Sequence, residues 1–168
     1  MASKKKIKRI LNCVPSRNQE KDWRFEHALA AQKGKLARAM PTAKDLREPW
    51  WKIGDQGNTG SCVGWASADS LLRWHFVKAR KIDAATSLSV RFQWMASKEI
   101  DEFVSTATTF LDDAGTSIKS ALDIARKFGA VEESVLPFNG TLSKLDERVF
   151  YSKAARLKIA SYYNLMGG

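Results

Sequence analysis

The segment Asp55-Gln56-Gly57-Asn58-Thr59-Gly60-Ser61-Cys62-Val63-Gly64-Trp65-Ala66 carries a thiol from a glycine-rich loop to the start of a long amphipathic stretch. A helix that begins at Ser61 or Cys62 leaves its first N–H groups without intrahelical partners and presents the positive end of its dipole. Both effects favour thiolate over thiol, which would make Cys62 a nucleophile at neutral pH. The loop glycines let backbone and substrate approach closely where bulkier residues would block them. Six positions before the cysteine, the Gln56 amide can donate to a developing oxyanion together with the Cys62 N–H. Two such donors are what acyl transfer requires. A buried cysteine at a helix start beside a tight turn has a purely structural reading as well, so the surrounding residues must decide.

Those residues read as a mostly helical body. From residue 62 the sequence CVGWASADSLLRWHFVKAR places Trp65, Ala68, Leu72, Phe76 and Ala79 on one face, which predicts a helix that buries them. Asp69 and Arg73 are i,i+4 partners expected on the exposed face. A second helix is expected from about Ser89, which can cap it, through Phe92, Met95, Ala96 and Ile100 to Phe103. Gly115-Thr116-Ser117 supplies a turn and cap for a third, with Ile118, Ala121, Leu122 and Ala125 inward and Gly129 suited to the left-handed residue past its end. Pro137-Phe138-Asn139-Gly140 is a turn, residues 143–155 read as a short fourth helix, and 156–162 alternate like a strand. Glu48-Pro49-Trp50-Trp51 is a bulky apolar anchor ahead of the loop.

The 168 residues carry 28 Lys and Arg against 18 Asp and Glu, and residues 1–47 alone hold 13 of the former against 4 of the latter. A basic arm such as Lys4, Lys5, Lys6, Lys8 and Arg9 can bind polyanions electrostatically, but a run this short reads first as a solvated terminus rather than a nucleic-acid arm. Residues 1–43 are therefore an N-terminal extension that packs partly on the body, and 44–168 form the domain. No apolar run approaches the roughly 20 residues of a membrane span. Residues 7–14 are broken by Lys8, Arg9 and Asn12 and do not make a secretory signal core. The expected location is cytoplasmic, or outside the cell by a signal-independent route. Two cysteines, Cys13 and Cys62, are too few for a disulfide framework and have no metal-ligand spacing, so no metal and no cofactor are expected.

The loop and its sequel resemble the papain-like (C1) family of cysteine peptidases, in particular bacterial members with a DQGxxGSCVG(F/W)A core. Asp45-Leu46-Arg47, Leu88-Ser89-Val90-Arg91-Phe92, Gly115-Thr116-Ser117-Ile118 with Ala121-Leu122, and Leu136-Pro137-Phe138 occur in family-like order, so the likeness spans about 45–162. It implies an α+β papain-like fold, of which this chain would be the helical, nucleophile-bearing half, with the β-rich half largely missing. It also implies Cys62 as nucleophile and Gln56 as oxyanion donor, with Gly60 and Ser61 shaping the loop. Gly115 and Thr116 would fall near the peptide-binding cleft. Val63 departs from the Trp that follows the nucleophile in plant and lysosomal members. Their extra loop cysteine is absent, with Thr59 nearby, which fits a reduced compartment.

A thiol peptidase also needs a histidine, and usually an Asn or Asp to orient it. His75 lies 13 residues along the same predicted helix, roughly 20 Å from Cys62 at 1.5 Å per residue, and cannot be the base. His27 precedes the nucleophile, whereas the family takes its histidine roughly 130–150 residues after the cysteine. Three readings follow: a truncated chain, one fragment of a split or processed protein whose partner chain supplies the histidine, or a non-catalytic papain-like interaction module. The expected partner is a peptide or protein substrate, with transfer to an amine other than water left open. Gly167-Gly168 reads as a flexible end rather than a processing site.

Overall fold

The computed structural model describes residues 11–32, 41–101, 114–140 and 143–165. The basic run 4–9, Phe103, Gly167 and Gly168 lie outside the described residues. A 3₁₀ turn at Gln19–Lys21 leads to α1 (Phe25–Ala30). The long helix α2 follows in three parts, Cys62–Gly64, a π-helical middle Trp65–Leu72, and Arg73–Lys78. Three more helices complete the set, α3 (Val90–Ile100), α4 (Ile118–Lys127) and α5 (Glu147–Ala155).

The widened middle of α2 has a chemical cause in its sequence. The Ser67 hydroxyl donates to the Val63 carbonyl at 2.7 Å and Ser70 to Ala66 at 2.6 Å, occupying carbonyls that α-helical amides would use. The Arg73 N–H then reaches back to the Ala68 carbonyl, five residues away. Its apolar face is as the periodicity predicts at Ala68, Leu72 and Phe76, all about 1% exposed or less, with Trp65 packed against that cluster. Leu88, Val90, Ala125, Ala130 and Leu157 close the same core. Phe92, Ile124, Val131 and Ala154 form an adjoining cluster. Gly64 lets α2 and α3 cross closely, because a Cβ there would come within 2.9 Å of the Val90 carbonyl and 2.8 Å of the Trp94 Cβ.

Caps set the helix starts. Ser89 Oγ accepts from the Phe92 N–H at 3.0 Å, Ser117 Oγ from Ser120 at 3.2 Å, and Asp146 Oδ1 from Val149 at 3.0 Å. The Asp146 cap starts α5 at Glu147, four residues later than the sequence suggests. Gly129 takes φ +106° just past α4, as anticipated.

Several expectations are corrected. Residues 156–162 form no strand: the N–H groups of Arg156 and Leu157 turn back to Lys153 and Ala154, and the Ile159 N–H docks on the Ala125 carbonyl at 3.2 Å. Alternation makes a strand only beside a partner, and among the described residues extended pairing is limited to isolated bridges such as Leu88 with Glu132. The described part is therefore helix-rich, in keeping with the expected helical subdomain. Asp69 and Arg73 are not surface partners: both are buried, 3.0 Å apart, with Arg73 also donating to the Ala84 carbonyl and lying 5.2 Å from the Trp50 ring centre. The Trp50 anchor and the loop after α2 cover that face. Ile118 and Ala79 are exposed, because the inward stripe of α4 runs through Ala121, Ile124 and Ala125 and α2 ends at Lys78. On α3 the residues buried with Phe92 are Val90, Gln93, Trp94, Ser97 and Lys98, whereas Met95, Ala96 and Ile100 are half-buried.

Glu133 gives the core a pH dependence. Desolvation raises its carboxyl above the usual range and the nearby Asp69 charge adds to this, against a lowering bond from the Phe138 N–H. The folded chain thus holds this proton to higher pH than the unfolded chain, whose glutamates titrate near about 4.3. Stability from this group is present below that value and falls as pH rises through the folded one. Glu133→Gln should therefore raise Tm at pH 7 relative to the parent but not at pH 4. Parallel Tm curves for the two proteins would contradict this.

Candidate active site

The loop before α2 is closed by its own side chains. Gln56 Nε2 donates to the Thr59 carbonyl at 2.9 Å, Thr59 Oγ1 donates to the Gln56 carbonyl at 2.8 Å, and the Thr59 and Ser61 hydroxyls lie 2.7 Å apart. Gly57 receives support from Asp55 Oδ1, which accepts its N–H at 3.0 Å. Ser61 is fully buried and its carbonyl accepts the Trp65 N–H at 3.0 Å, so the chain passes from loop to helix at a fixed point. Cys62 is the first helical residue and stays half-buried, a free thiol at the end of α2 where backbone N–H groups point outward. The turn Cys62–Gly64 packs on both α3 and α4.

The segment before the loop is tied to the far side of α2. Trp74 Nε1 donates to the Leu46 carbonyl at 3.0 Å, Lys78 pairs with Glu48 at 2.6 Å, and Arg47 grips Asp45 through bonds of 2.7 to 3.0 Å. That guanidinium holds the Asp45 carboxyl below the usual carboxylate range.

Gly115 and Thr116 lie at the start of α4. Thr116 is fully buried, and its hydroxyl donates to Asp101 Oδ2 at 3.0 Å. The same carboxylate oxygen accepts the Ser117 N–H at 2.9 Å and the Ser120 hydroxyl at 3.1 Å. The side chains of Thr116 and Ser61 are thus both engaged inside the fold. Asp101 is the residue that sequence reasoning missed. It lies at the end of α3, and nothing in its own neighbourhood signals that three donors from 116–120 converge on it. Asp101→Ala strands those donors in a site where Asp101 itself is 5% exposed, and should cost about 3 kcal/mol. Asp101→Asn keeps an acceptor and should lose less; a denaturation midpoint unchanged in the alanine variant would refute the role.

The N-terminal segment lies on this same pair. Cys13 bridges Thr116 in parallel, the Val14 N–H donates to the Thr116 carbonyl at 3.0 Å, and the Asn12 carbonyl occupies the space that a side chain at Gly115 would need, 1.5 Å from where its Cβ would stand. Neither histidine supplies a base. His75 is exposed on the last part of α2, its ring tilted against that of Phe76 at 6.0 Å between centres. His27 Nδ1 accepts the Arg24 N–H at 2.9 Å, capping its own short helix. Among the described residues no group of three His, Cys, Asp or Glu side chains could hold a metal ion, and no helix is long and apolar enough to cross a membrane.

The arrangement of these helices is shared with a solved bacterial cysteine protease. That protein is xylellain from Xylella fastidiosa: the structures superpose with a TM-score of 0.69 at 21% sequence identity, over 99% of this chain and 62% of the other. The likeness is one of fold, and the chain spans 62% of xylellain's length. No family profile matches the sequence, and no curated protein matches it significantly.

Proposed function

We propose that this chain is the nucleophile-bearing helical half of a papain-like cysteine peptidase, with Cys62 as nucleophile. The observation that carries the reading is the position of Cys62: the last residue of a self-bonded DQGxxGSC loop and the first of the core helix, in a fold shared with a cysteine protease. The thiolate would attack a peptide carbonyl and expel the amine to leave a thioester, which water then hydrolyses. The Cys62 N–H and the Gln56 amide would stabilise the oxyanion, with Gln56 oriented by its bond to Thr59. The backbone at Gly60, Ser61, Gly115 and Thr116 would border the peptide. The histidine that protonates the leaving amine would come from outside these 168 residues, from a continuing chain or a partner fragment, because His27 caps its own short helix and His75 lies thirteen residues along α2 from Cys62.

Alkylation tests this reading. In the peptidase completed by that histidine-bearing part, modification of Cys62 should abolish hydrolysis of an unstructured peptide, while modification of Cys13 alone should not. Full activity after quantitative Cys62 alkylation would remove the proposal.

A further inference from the structure

Lys78 lies sixteen positions after Cys62, so the far end of α2 stands roughly 24 Å from the thiol at 1.5 Å per residue. Beside that end a cavity of about 220 Å³ opens on a floor of Ile82, Val131, Val135 and Leu157. Its rim carries the exposed Lys81, Lys153 and Arg156. The carboxylate that lines it, Glu132, already accepts from the Ser134 hydroxyl at 3.3 Å.

The backbone fixes each part of this site. α2 ends in a Schellman turn: the Arg80 N–H returns to the Val77 carbonyl at 3.0 Å and the Lys81 N–H to the Phe76 carbonyl at 2.9 Å. Arg80 takes φ 56° there, a conformation that glycine adopts more easily. The turn lays Lys81 across Phe76, its Nζ 5.6 Å from the ring centre, and brings Ile82 to the cavity. Residues 131–133 are held by the Ser89 N–H on the Val131 carbonyl at 2.8 Å and the Glu133 N–H on the Ser87 carbonyl at 2.9 Å. At the end of α5 the Arg156 and Leu157 N–H groups turn back to Lys153 and Ala154, which buries Leu157 and leaves Arg156 in solvent. Among the described residues none of the three cations pairs with a carboxylate. Single solvated lysines are ordinary, but these cations come from segments distant in sequence and ring an apolar floor.

We propose that this cavity is a docking site for an acidic peptide segment, with one apolar side chain seated on Ile82, Val131, Val135 and Leu157 and flanking carboxylates paired with Lys81, Lys153 and Arg156. Size and charge argue for that occupant. An apolar cavity of about 150 Å³ takes a benzene ring, so this one has room for a leucine or phenylalanine side chain. Three cations against Glu132 leave a surplus of positive charge that a short acidic sequence neutralises. A free phosphate would meet the cations but bury none of the floor. The site goes beyond the proposed role of Cys62 and does not depend on it.

Binding is to be measured on the full chain carrying Cys62→Ala, so that the probe stays intact. The probe is a dye-labelled peptide with a leucine between two pairs of glutamates, followed by fluorescence anisotropy. Saturable one-to-one binding is expected, weakened at least tenfold when Lys153→Glu and Arg156→Glu reverse two exposed charges. Replacing the peptide's leucine by serine should also weaken it at least tenfold with the protein unchanged, because the buried aliphatic side chain is lost. Absence of saturable binding would overturn the proposal. So would binding that survives the charge reversal, which would place the peptide elsewhere, as on the basic run 4–9. Binding that ignores the leucine, or that inorganic polyphosphate displaces as well as the peptide does, would reduce the patch to a general anion surface and overturn it too. The readout uses a chain without the thiol, so its failure leaves the reading of Cys62 standing, and an inert Cys62 leaves this site standing.

Discussion

Cys62→Ala is expected to lower peptide hydrolysis by the completed peptidase roughly 10⁴-fold or more, the scale seen when a covalent nucleophile is removed from a site whose members act as a unit. The loss should fall on kcat, with the peptide still bound. Folding should be nearly untouched, within about 1 kcal/mol, because alanine suits the first turn of a helix and Cys62 is only half-buried. Cys62→Ser keeps the size and supplies a far weaker nucleophile, so it should fall almost as far. Measuring kcat and KM beside a denaturation curve for both variants separates lost chemistry from lost structure. Hydrolysis within tenfold of the parent, in either stable variant, would mean that the thiol is a structural cysteine.

Gln56→Ala is expected to reduce kcat by about 10² to 10³ while KM changes little, the signature of a donor that acts on the transition state. The structure adds a complication, since the Gln56 amide also braces the loop through the Thr59 carbonyl. Losing that bond should cost about 1 kcal/mol of stability. Thr59→Val provides the comparison: it removes the hydroxyl that bonds the Gln56 carbonyl and approaches Ser61, but leaves the Gln56 amide in place. If Gln56 stabilises the oxyanion, Thr59→Val should lose less than about tenfold in kcat. Equal losses in the two variants would make Gln56 a loop strut only.

The helices and their caps were legible because they follow local rules. Ser89 and Ser117 cap where a hydroxyl precedes an apolar stripe, and Ala68, Leu72 and Phe76 repeat at the spacing that buries one face. The loop and its thiol were legible as a contiguous motif. What escaped depends on contacts distant in sequence. An i,i+4 pair such as Asp69 and Arg73 reads as solvent-facing until Trp50 and Ala84 are seen to cover it. Asp101 gathers donors from fifteen to nineteen positions away, and Cys13 pairs with Thr116 from the other end of the sequence. The alternation at 156–162 misled for the same reason, since a strand needs a neighbour and this stretch instead packs at the end of α4.

Direct observation of a thioester on Cys62 tests the central claim most closely. The reduced, completed peptidase would be mixed with a slowly deacylating peptide ester, quenched in acid within the first turnover, and its modified peptide sequenced by mass spectrometry. The account predicts a burst of one leaving group per active site and an acyl group on Cys62, absent from Cys62→Ala and not found on Cys13. Steady turnover without a burst or acyl adduct, or an adduct on another residue, would contradict it.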